Sequence, residues 1–335
     1  MAQMYDNFVL ENQVKSALDT KLDINRFITA DYSLVENPGM VKKVHRYHIA
    51  DGSDVEELAR GASNTKTISA EFDEYEYRVG RTQGKVEYAD DDLFTDPVYV
   101  ESSLNFAADK MVNKWVADGF KEYLKSENLV PISNYDYSDF ANIISAYTSE
   151  HEDTAGLFFL INQKLDAKIR KLLCDHLEFT EGYLKTGAIY GIYGVPVFLS
   201  KAVPENLVIL ATKEAVTGFF KRDLNVETSR DIESKMNKMI ISRYAVIALT
   251  RPDKCVIAGP AQTAPTITTK TGTSVAGTCE AGASVIVSVG GKDYTAVVTD
   301  TAFAATVDAM TAGDAIKVVV SVPGKINAIL RDTAV

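Results

Sequence analysis

Two groups of side chains in this sequence have the residue types that proteins use to bind metal ions. The first is the segment HRYH, in which His45 and His48 lie three residues apart with Asp51 close behind. The surrounding residues alternate as those of a β-strand do. Residues three apart on a strand point to opposite faces, so we do not expect the two imidazoles to share a metal.

The second group contains the aspartates at 90–92 together with Asp96. These carboxylates could offer oxygen ligands to calcium, but the segment lacks the glycine and the terminal glutamate of a calcium-binding hand. We predict that they favour the N-terminus of the following helix electrostatically. The sequence therefore predicts neither a metal site nor a cofactor.

A glycine-rich stretch, IYGIYGVPVFLSKAVPEN at 189–206, raises the question of a nucleotide site. A phosphate-binding turn needs a strand, then the glycine loop, then a helix whose N-terminal amides meet the anion. Here a strand is predicted to follow Gly187, Gly191 and Gly194, and no Lys-Ser or Lys-Thr pair ends the loop. Pro196 also removes a backbone donor. We predict that the glycines permit tight turns between strands.

The remaining candidates for catalysis do not form a recognisable set. His151 falls in a polar loop, and His176 falls on the apolar stripe of a predicted helix. Cys174, Cys255 and Cys279 are isolated, which argues against a disulfide framework and fits a reducing compartment. Because no Ser, Cys or Lys lies in a nucleophile motif, the sequence predicts a protein that is not an enzyme.

The length and the net charge of the chain indicate how many domains it has and which partners it is expected to bind. The chain has 335 residues and a net charge of -11, which predicts two or more domains and disfavours tight binding to DNA phosphates. No apolar run approaches the ~20 residues needed to span a bilayer, so no membrane partner is expected. The first residues do not resemble a secretory signal, and we expect synthesis in a cytoplasm.

The first half of the chain predicts an extended architecture. Residues 1–30 are expected to form an arm that packs on a neighbour, and 31–95 alternate as antiparallel ribbon strands with a turn at 80–84. Such a ribbon is not stable alone in water, so another domain or another subunit must cover it. A helix of about eight turns is predicted within 96–135, with Asp96 as its N-cap and Pro97 at its first position.

The second half predicts an α/β region followed by an all-β module. Helices at Ser138 and after Asn162 and the strands GLFFLI and NLVILA occupy 136–240, and two buried strands broken at a Pro-Asp turn occupy 241–260. Residues 261–335 contain short alternating runs at Ser284–Val289, 294–298 and 316–322, with a Gly-Gly hairpin signal between the first two. They predict a β-sandwich with its own core, joined through an extended, semi-rigid proline-containing linker.

The C-terminal module resembles bacterial immunoglobulin-like domains. The matching positions are Gly277-Thr278, Glu280-Ala281-Gly282-Ala283, Tyr294, Phe303 and Ala312-Gly313-Asp314. The resemblance implies a display or adhesion unit without catalytic chemistry, with host-surface or glycan contacts as its candidate partners.

Residues 30–259 carry a second resemblance. The segment 189–206 has the pattern of glycines and hydrophobic residues, then Gly-x-Pro-Val, a serine and Val-Pro, that is typical of major capsid proteins of tailed bacteriophages. Further matching positions are Val226-Glu227, Arg230-Asp231, Asn237, Arg243-Tyr244-Ala245 and Arg251-Pro252. The order of the elements agrees as well. The resemblance implies an α+β fold of the Hong Kong 97 type, with an N-terminal arm, an extended β-ribbon loop, a peripheral domain with a long spine helix and an axial α/β domain.

The resemblance also implies a function. It implies pentamers and hexamers of this chain in an icosahedral virion shell around phage DNA, assembled in the host bacterial cytoplasm, with the immunoglobulin-like domain outside. The long cleavable N-terminal scaffold region of some relatives is not expected here, which implies a separate scaffolding protein or none. A portal is a further expected partner, and packaged DNA only a weak, non-specific one. A bacterial surface or adhesion protein carrying the same module remains the alternative.

Four cations of the ribbon are candidate intersubunit contacts: Arg78, Arg81, Lys66 and Lys85. The arginines are predicted to meet acidic groups of a neighbour, although two solvated side chains would fit the sequence equally well. Some relatives link a ribbon lysine to a neighbour's asparagine through an isopeptide bond. Lys66 and Lys85 have polar sequence neighbours that would not lower an amine's pKa, so we expect no such cross-link.

Overall fold

The computed structural model describes residues 27–36, 38–49, 55–58, 60–95, 98–147, 156–174 and 191–334. Its α-helices are α1 (Asp90–Thr95), α2 (Val98–Tyr123), α3 (Tyr137–Ser145) and α4 (Gln163–Cys174). Its strands are β1 (Thr29–Asp31), β2 (Val41–Ile49), β3 (Ala70–Arg78), β4 (Gly80–Ala89), β5 (Leu129–Pro131), β6 (Leu157–Ile161), β7 (Gly191–Ile192), β8 (Val195–Leu199), β9 (Val208–Thr212), β10 (Val216–Asp231), β11 (Met236–Leu249), β12 (Cys255–Gly259), β13 (Thr266–Thr271), β14 (Ser274–Thr278), β15 (Ser284–Val289), β16 (Lys292–Thr295), β17 (Val297–Thr299), β18 (Ala302–Thr306), β19 (Ala315–Ser321) and β20 (Ala328–Thr333). The sequence predictions outside the described residues are those for the arm before residue 27, Asp51, Asp96-Pro97, His151, His176 and Gly187.

A four-stranded sheet with the order β1-β10-β11-β4 supports the long helix α2. The strands β10 and β11 form an antiparallel hairpin, β4 pairs antiparallel with β11, and β1 pairs parallel with β10. Two glycines let the helix approach this sheet closely. A Cβ placed on Gly218 would lie 3.3 Å from Cζ2 of Trp115, and one on Gly84 would lie 3.7 Å from Sδ of Met111. Trp115 and Met111 are both buried.

The ribbon consists of β2 and β3 alone. They pair antiparallel along nine residues each, from Val41 opposite Arg78 to Ile49 opposite Ala70. The turn predicted at 80–84 is wrong, because these residues begin β4 and pair with β11. The glycines that resemble a turn signal are strand residues here, since a distant strand supplies their hydrogen-bonding partners. Val79, which is buried, carries the chain from the ribbon into the sheet without reversing it.

A six-stranded mixed sheet, β5-β12-β9-β6-β8-β7, forms the second layer of the structure. The strand β6 shows why both faces of this sheet are covered. Its residues Phe158 and Leu160 belong to the core that contains α2, whereas Phe159 and Ile161 belong to a second core with α3 and α4. Because side chains alternate along a strand, a sheet packed on both faces needs a continuous apolar run such as LFFLI.

The first of these cores joins α2 to both sheets. Its buried members include Phe120 and Tyr123 of α2, Ile209 of β9 and Ile247 of β11. The chain enters this core at Phe27, whose ring contacts those of three other phenylalanines at centroid distances of 5.0, 5.2 and 6.1 Å. The buried Tyr123 hydroxyl donates a hydrogen bond to the carbonyl oxygen of Phe27.

The sheet topology places two strands, β10 and β12, outside the domains that were predicted for them. The boundary at residue 240 falls inside β11, and β10, which was assigned to the axial region, belongs to the four-stranded sheet. Conversely, β12 was assigned to the peripheral return but pairs with β5 and β9 in the six-stranded sheet. The hydrophobic pattern of a strand shows that it is buried but does not show which sheet it joins.

The helices of the α/β region begin within one residue of the predicted positions. Asp136 caps α3, one residue earlier than expected, by accepting a hydrogen bond from the backbone N–H of Asp139 at 3.0 Å. Asn162 caps α4 by accepting from the N–H of Lys164 at 2.9 Å, and its side-chain amide donates to the carbonyl of Val203. Within the described residues, no helix combines the length and apolar character needed to cross a bilayer.

Residues after 265 form a sandwich of two four-stranded antiparallel sheets, β13-β14-β18-β17 and β16-β15-β19-β20. Gly290 and Gly291 have φ angles of +57° and +78° and make the two-residue turn between β15 and β16, as predicted. The single strand predicted at 294–298 is instead two strands, because the chain passes from one sheet to the other at the buried Ala296. A shared apolar core fills the space between the two sheets.

Candidate assembly interface

Several large apolar side chains are exposed on the elements that extend from the core. On the ribbon and its connecting loop they are Val55 (77% exposed), Leu58 (42%), Ile68 (63%) and Phe72 (54%). A second set contains Phe94 (83%) on α1, Val98 (60%) and Phe106 (68%) on α2, and Ile232 (75%) in the β10–β11 turn. Monomeric soluble proteins rarely expose large apolar patches, so surfaces of this kind are candidate interaction sites.

Arg46, two-thirds of the way along β2, fixes the ribbon to the body of the subunit. Its Nε and Nη2 atoms donate to the carbonyl oxygen of Leu249, at 3.1 and 2.8 Å, and Nη2 donates to the Tyr77 hydroxyl at 3.0 Å. The guanidinium also lies 3.9 Å from the ring centroid of Tyr75. Burial raises the pKa of Tyr77, which keeps its hydroxyl neutral at physiological pH. Nearer the base of the ribbon, Val44 and Val79 pack with residues of the four-stranded sheet.

Cross-strand charges line the exposed part of the ribbon. Lys43 contacts Glu74 at 2.5 Å and Glu76 at 3.3 Å, and His45 contacts Glu74 at 3.0 Å. The hydrogen bond from Lys43, and then that from His45, holds the pKa of Glu74 below its usual value. These exposed pairs contribute little stability, but charged side chains on strand edges oppose indiscriminate pairing with other chains. The strand expected around HRYH is present, since β2 contains both His45 and His48.

The face of the four-stranded sheet opposite α2 carries two of the predicted contact residues. Because Gly84 faces α2, the alternating residues Arg81 and Lys85 of β4 lie on the opposite face. Across this face, Arg81 is the register partner of Tyr244 on β11, and Tyr244 is in turn the partner of Arg222 on β10. We call these three residues the arginine row. Both arginines of the row are exposed.

The four predicted contact residues do not converge on one point. Arg78 ends β3 at the base of the ribbon, close in sequence to Arg81, and not near the ribbon tip as the sequence suggested. Lys85 contacts Glu87 at 2.5 Å, and Glu87 also lies 3.6 Å from Lys238. Lys66 lies exposed in the loop between β2 and β3. Among the described residues, neither Arg78 nor Arg81 has an ion-pair partner.

The aspartates at 90–92 lie in the first turn of α1, a short helix that the sequence did not reveal. Asp90 accepts hydrogen bonds from Asn237 and from Arg230, each at 2.6 Å, and these two contacts lower its pKa. Asp90 therefore fixes α1 to the tip of the β10–β11 hairpin. In the described part of the chain, no group of His, Cys, Asp and Glu side chains has the geometry to hold a metal.

The glycine-rich stretch forms a turn between two strands, and Cys255 and Cys279 are buried free thiols. Tyr193 and Gly194, with φ angles of +52° and +78°, form the turn between β7 and β8, as predicted for Gly194, while Gly191 lies within β7. Burial raises the pKa of Cys255 to about 12, so its thiol stays protonated and unreactive. Cys279 is also a buried free thiol.

Contacts between the C-terminal sandwich and the body are the feature that sequence reasoning missed. Glu127, just after α2, accepts hydrogen bonds from Lys317 and Arg331, which are register partners on β19 and β20. Ile326, in the loop between these strands, is 7% exposed and belongs to the core around α2. The linker is held as well, because the carbonyl of Pro260 accepts from the N–H of Ile326 at 3.1 Å. No local pattern in the sequence could have paired these distant residues.

Comparison with solved structures shows that the fold is shared with shell proteins. The virus-like particle from Pyrococcus furiosus matches at a TM-score of 0.52 with 15% identity, covering 74% of this chain and 97% of that one. The capsid of the native GTA particle matches at 0.54 with 13% identity, covering 71% and 89%. A structure from Mycobacterium phage Che8 matches at 0.51 with 14% identity, covering 69% and 89%. No protein-family model and no curated protein sequence matches this chain.

Proposed function

We propose that this protein is the major subunit of a bacteriophage capsid and builds a closed shell from copies of itself. The observation that carries the proposal is the combination of the fold with its exposed ribbon. The fold is shared with the capsid and virus-like-particle structures, and the ribbon projects apolar side chains that the subunit does not cover. A two-stranded ribbon is at best marginally stable in water unless another surface packs on it. A neighbouring subunit supplies that surface.

The assembly that fits this subunit is an icosahedral shell of pentamers and hexamers around packaged DNA. The net charge of -11 supports only weak, non-specific proximity of the subunit to DNA, because tight binding needs clustered cations that neutralise phosphates. A separate scaffolding protein and a portal would complete the assembly in the host cytoplasm. The mature protein would then reside in the virion.

The C-terminal sandwich is proposed to be an immunoglobulin-like domain displayed on the outside of the shell, where it could meet host-surface molecules or glycans. Its two antiparallel sheets and their shared core support this reading. Its contacts through Glu127 and Ile326 hold it at a defined position on the subunit. The proposed role for the whole chain is structural, and no step of catalysis is assigned to it.

Negative-stain microscopy of the protein, produced alone and with a co-expressed scaffolding protein, tests the proposal. Shell-sized particles or rings are the expected result. A chain that stays monomeric under both conditions, and also within purified virions, would contradict it.

A further inference from the structure

We propose that the C-terminal sandwich has a second function besides display. It caps the C-terminal end of the long helix α2, and the chain forms shells only when this cap is in place. The cap consists of residues from β19, β20 and the loop 322–327 that connects these strands. This inference rests on the proposed function, because shell formation is one of its two readouts.

The C-terminal end of α2 carries groups that a helix cannot satisfy by itself. The last carbonyl oxygens of an α-helix have no intrahelical donor, and this end carries a partial negative charge. The hydrogen bonding of α2 also weakens here, because the N–H of Leu124 lies 3.4 Å from the carbonyl oxygen of Phe120 and the next two N–H groups bond to carbonyls three residues back. Glu127, shortly after the helix, adds a full negative charge. Hydrogen-bond donors and cations are therefore the groups that stabilise this end.

The sandwich supplies these groups from residues far along the chain. The side-chain amide of Asn327 donates to the carbonyl oxygen of Leu124 at 3.2 Å. Lys317 and Arg331, which are register partners on β19 and β20, both donate to the carboxylate of Glu127. The partners in these contacts are 190 to 204 positions apart in the sequence, so the cap forms only after the sandwich has been synthesised.

The loop that carries the apolar part of the cap is held in one conformation. Residues 322–325, VPGK, form a turn that is closed by a hydrogen bond of 3.1 Å between its last N–H and its first carbonyl. Gly324 has a φ of +76°, as the third position of a type II turn requires, and a proline precedes it. Ile326 follows this turn and is 7% exposed, and a Cβ placed on Gly259 would lie 3.3 Å from its Cγ2. Because the turn is preorganised, little conformational entropy is lost when Ile326 enters the core.

The capped segment also contacts the ribbon. The ammonium of Lys125 contacts Glu122 at 2.6 Å and lies 5.7 Å from the ring centroid of Tyr77 on β3. The hydroxyl of the same tyrosine accepts the hydrogen bond of 3.0 Å from Arg46, which fixes the ribbon to the body. The segment 122–127 thus lies between the ribbon and the sandwich. Loss of the cap should therefore disturb the position of the ribbon, and with it the assembly of the shell.

Charge exchange across the cap in the full-length protein tests the inference. We would prepare E127K, the double variant K317E/R331E and the combined E127K/K317E/R331E variant. The control is K292E, which removes an ion pair of 2.6 Å with Asp308 on the exposed surface of the sandwich. Hydrogen exchange of peptides that cover 118–127 reports on the helix end, and circular dichroism verifies the fold. Sedimentation and microscopy give the shell yield.

The reversals should act on both readouts together. E127K and K317E/R331E each place like charges in contact, so each should raise the exchange rate in 118–127 and lower the shell yield by about tenfold. The combined variant restores opposite charges and should return both quantities to within about twofold of the wild type. K292E should behave as the wild type does. I326D is a second test, because it places a carboxylate in the core that contains α2, and it should give the same two losses.

The outcomes separate this inference from the proposed function. If the exchange rate in 118–127 stays at the wild-type value in both E127K and I326D, the sandwich does not cap α2. If these variants open the helix end but form shells at the wild-type yield, the cap has no part in assembly. A combined variant that stays as defective as E127K would show that the losses arise from a different contact. If the wild type never forms shells, the proposed function fails together with the assembly part of this inference, and the exchange data alone decide the cap.

Discussion

The side-chain amide of Asn327 donates a hydrogen bond to the carbonyl oxygen of Leu124 at 3.2 Å. This contact joins the loop between β19 and β20 to the residue that follows the long helix α2. Together with the two ion pairs of Glu127 and the burial of Ile326, it makes the C-terminal sandwich a fixed part of the subunit. The composition of the linker alone predicted a module whose core is independent of the body. The contacts of the loop between β19 and β20 instead couple the stability of the module to that of the body.

Replacing Ile326 with alanine should destabilise the body of the protein and not only the sandwich. Ile326 fills a site beside Leu207 and Gly259, and deletion of a buried isoleucine side chain costs about 2–5 kcal/mol. The measurement is chemical denaturation followed by the fluorescence of Trp115, which lies in the same core. The control is Ile286→Ala, because Ile286 is 43% exposed on the sandwich surface. Equal midpoints for the two variants would show that Ile326 does not stabilise the body.

The N-terminal cap of α3 should depend on pH in a defined direction. Asp136 accepts hydrogen bonds from Asp139 and Ser138, which hold its pKa below the ordinary value of 3.8. Because the folded-state pKa is depressed, the stabilisation is present above about pH 4 and is lost as the pH falls through the folded pKa. Asp136→Ala should therefore lower the thermal midpoint at pH 7 by about 2 °C, and this difference should become smaller near pH 2, where the protonated carboxyl is a weaker acceptor.

The comparison variant for this cap is Asp136→Asn, which retains an oxygen acceptor without a titratable group. It should keep most of the cap at every pH. If Asp136→Ala and the wild type differed equally at pH 7 and pH 2, the charge of the carboxylate would have no part in the cap.

Charge reversal at the base of the ribbon should block assembly without unfolding the subunit. Arg78 and Arg81 are exposed and unpaired among the described residues, so Arg78→Glu with Arg81→Glu should leave the thermal transition within about 2 °C of the wild type. Shell formation should be lost if these cations meet carboxylates of a neighbour. The matched control replaces Lys201 and Lys213, exposed in two other turns, with glutamate. Normal shells from the Arg78/Arg81 variant would show that the two arginines are only solvated.

The shell should not be covalently cross-linked. Lys85 contacts Glu87 at 2.5 Å with half of its side chain exposed, and Lys66 is exposed, so neither amine is buried. Formation of an isopeptide bond needs a neutral amine, which requires desolvation. Boiled virions on a denaturing gel should give a single band near the chain mass of 36.7 kDa. A ladder of multiples that resists reducing agent would contradict this prediction.

The elements with strong local signals were predictable from the sequence. The strand LFFLI, the helix that follows Asn162 and the Gly-Gly turn at 290–291 all depend on chemistry within a few neighbouring residues. The local pattern failed where a distant partner decides the structure. Residues 80–84 resemble a turn but pair with β11, and the run at 294–298 divides at Ala296 because the two halves join different sheets.

The candidate interface shows the same limit of prediction from local sequence patterns. The sequence offered Arg81 as a candidate contact residue but not its neighbours in the sheet, since Tyr244 and Arg222 join it only through the register of three strands. The docking of Ile326 into the core around α2 was also invisible, because an isolated isoleucine in a loop gives no periodic signal. Both features are set by long-range pairing, which local residue spacing does not encode.

Cryo-electron microscopy of purified particles tests the central claim most directly. The account predicts a closed shell in which this chain forms pentameric and hexameric rings. The β2–β3 ribbon of each copy should lie on the four-stranded sheet of a neighbour, and the C-terminal sandwich should project outward from its docked position. A shell built from a different protein, with this chain absent or attached only as a monomer, would contradict the account.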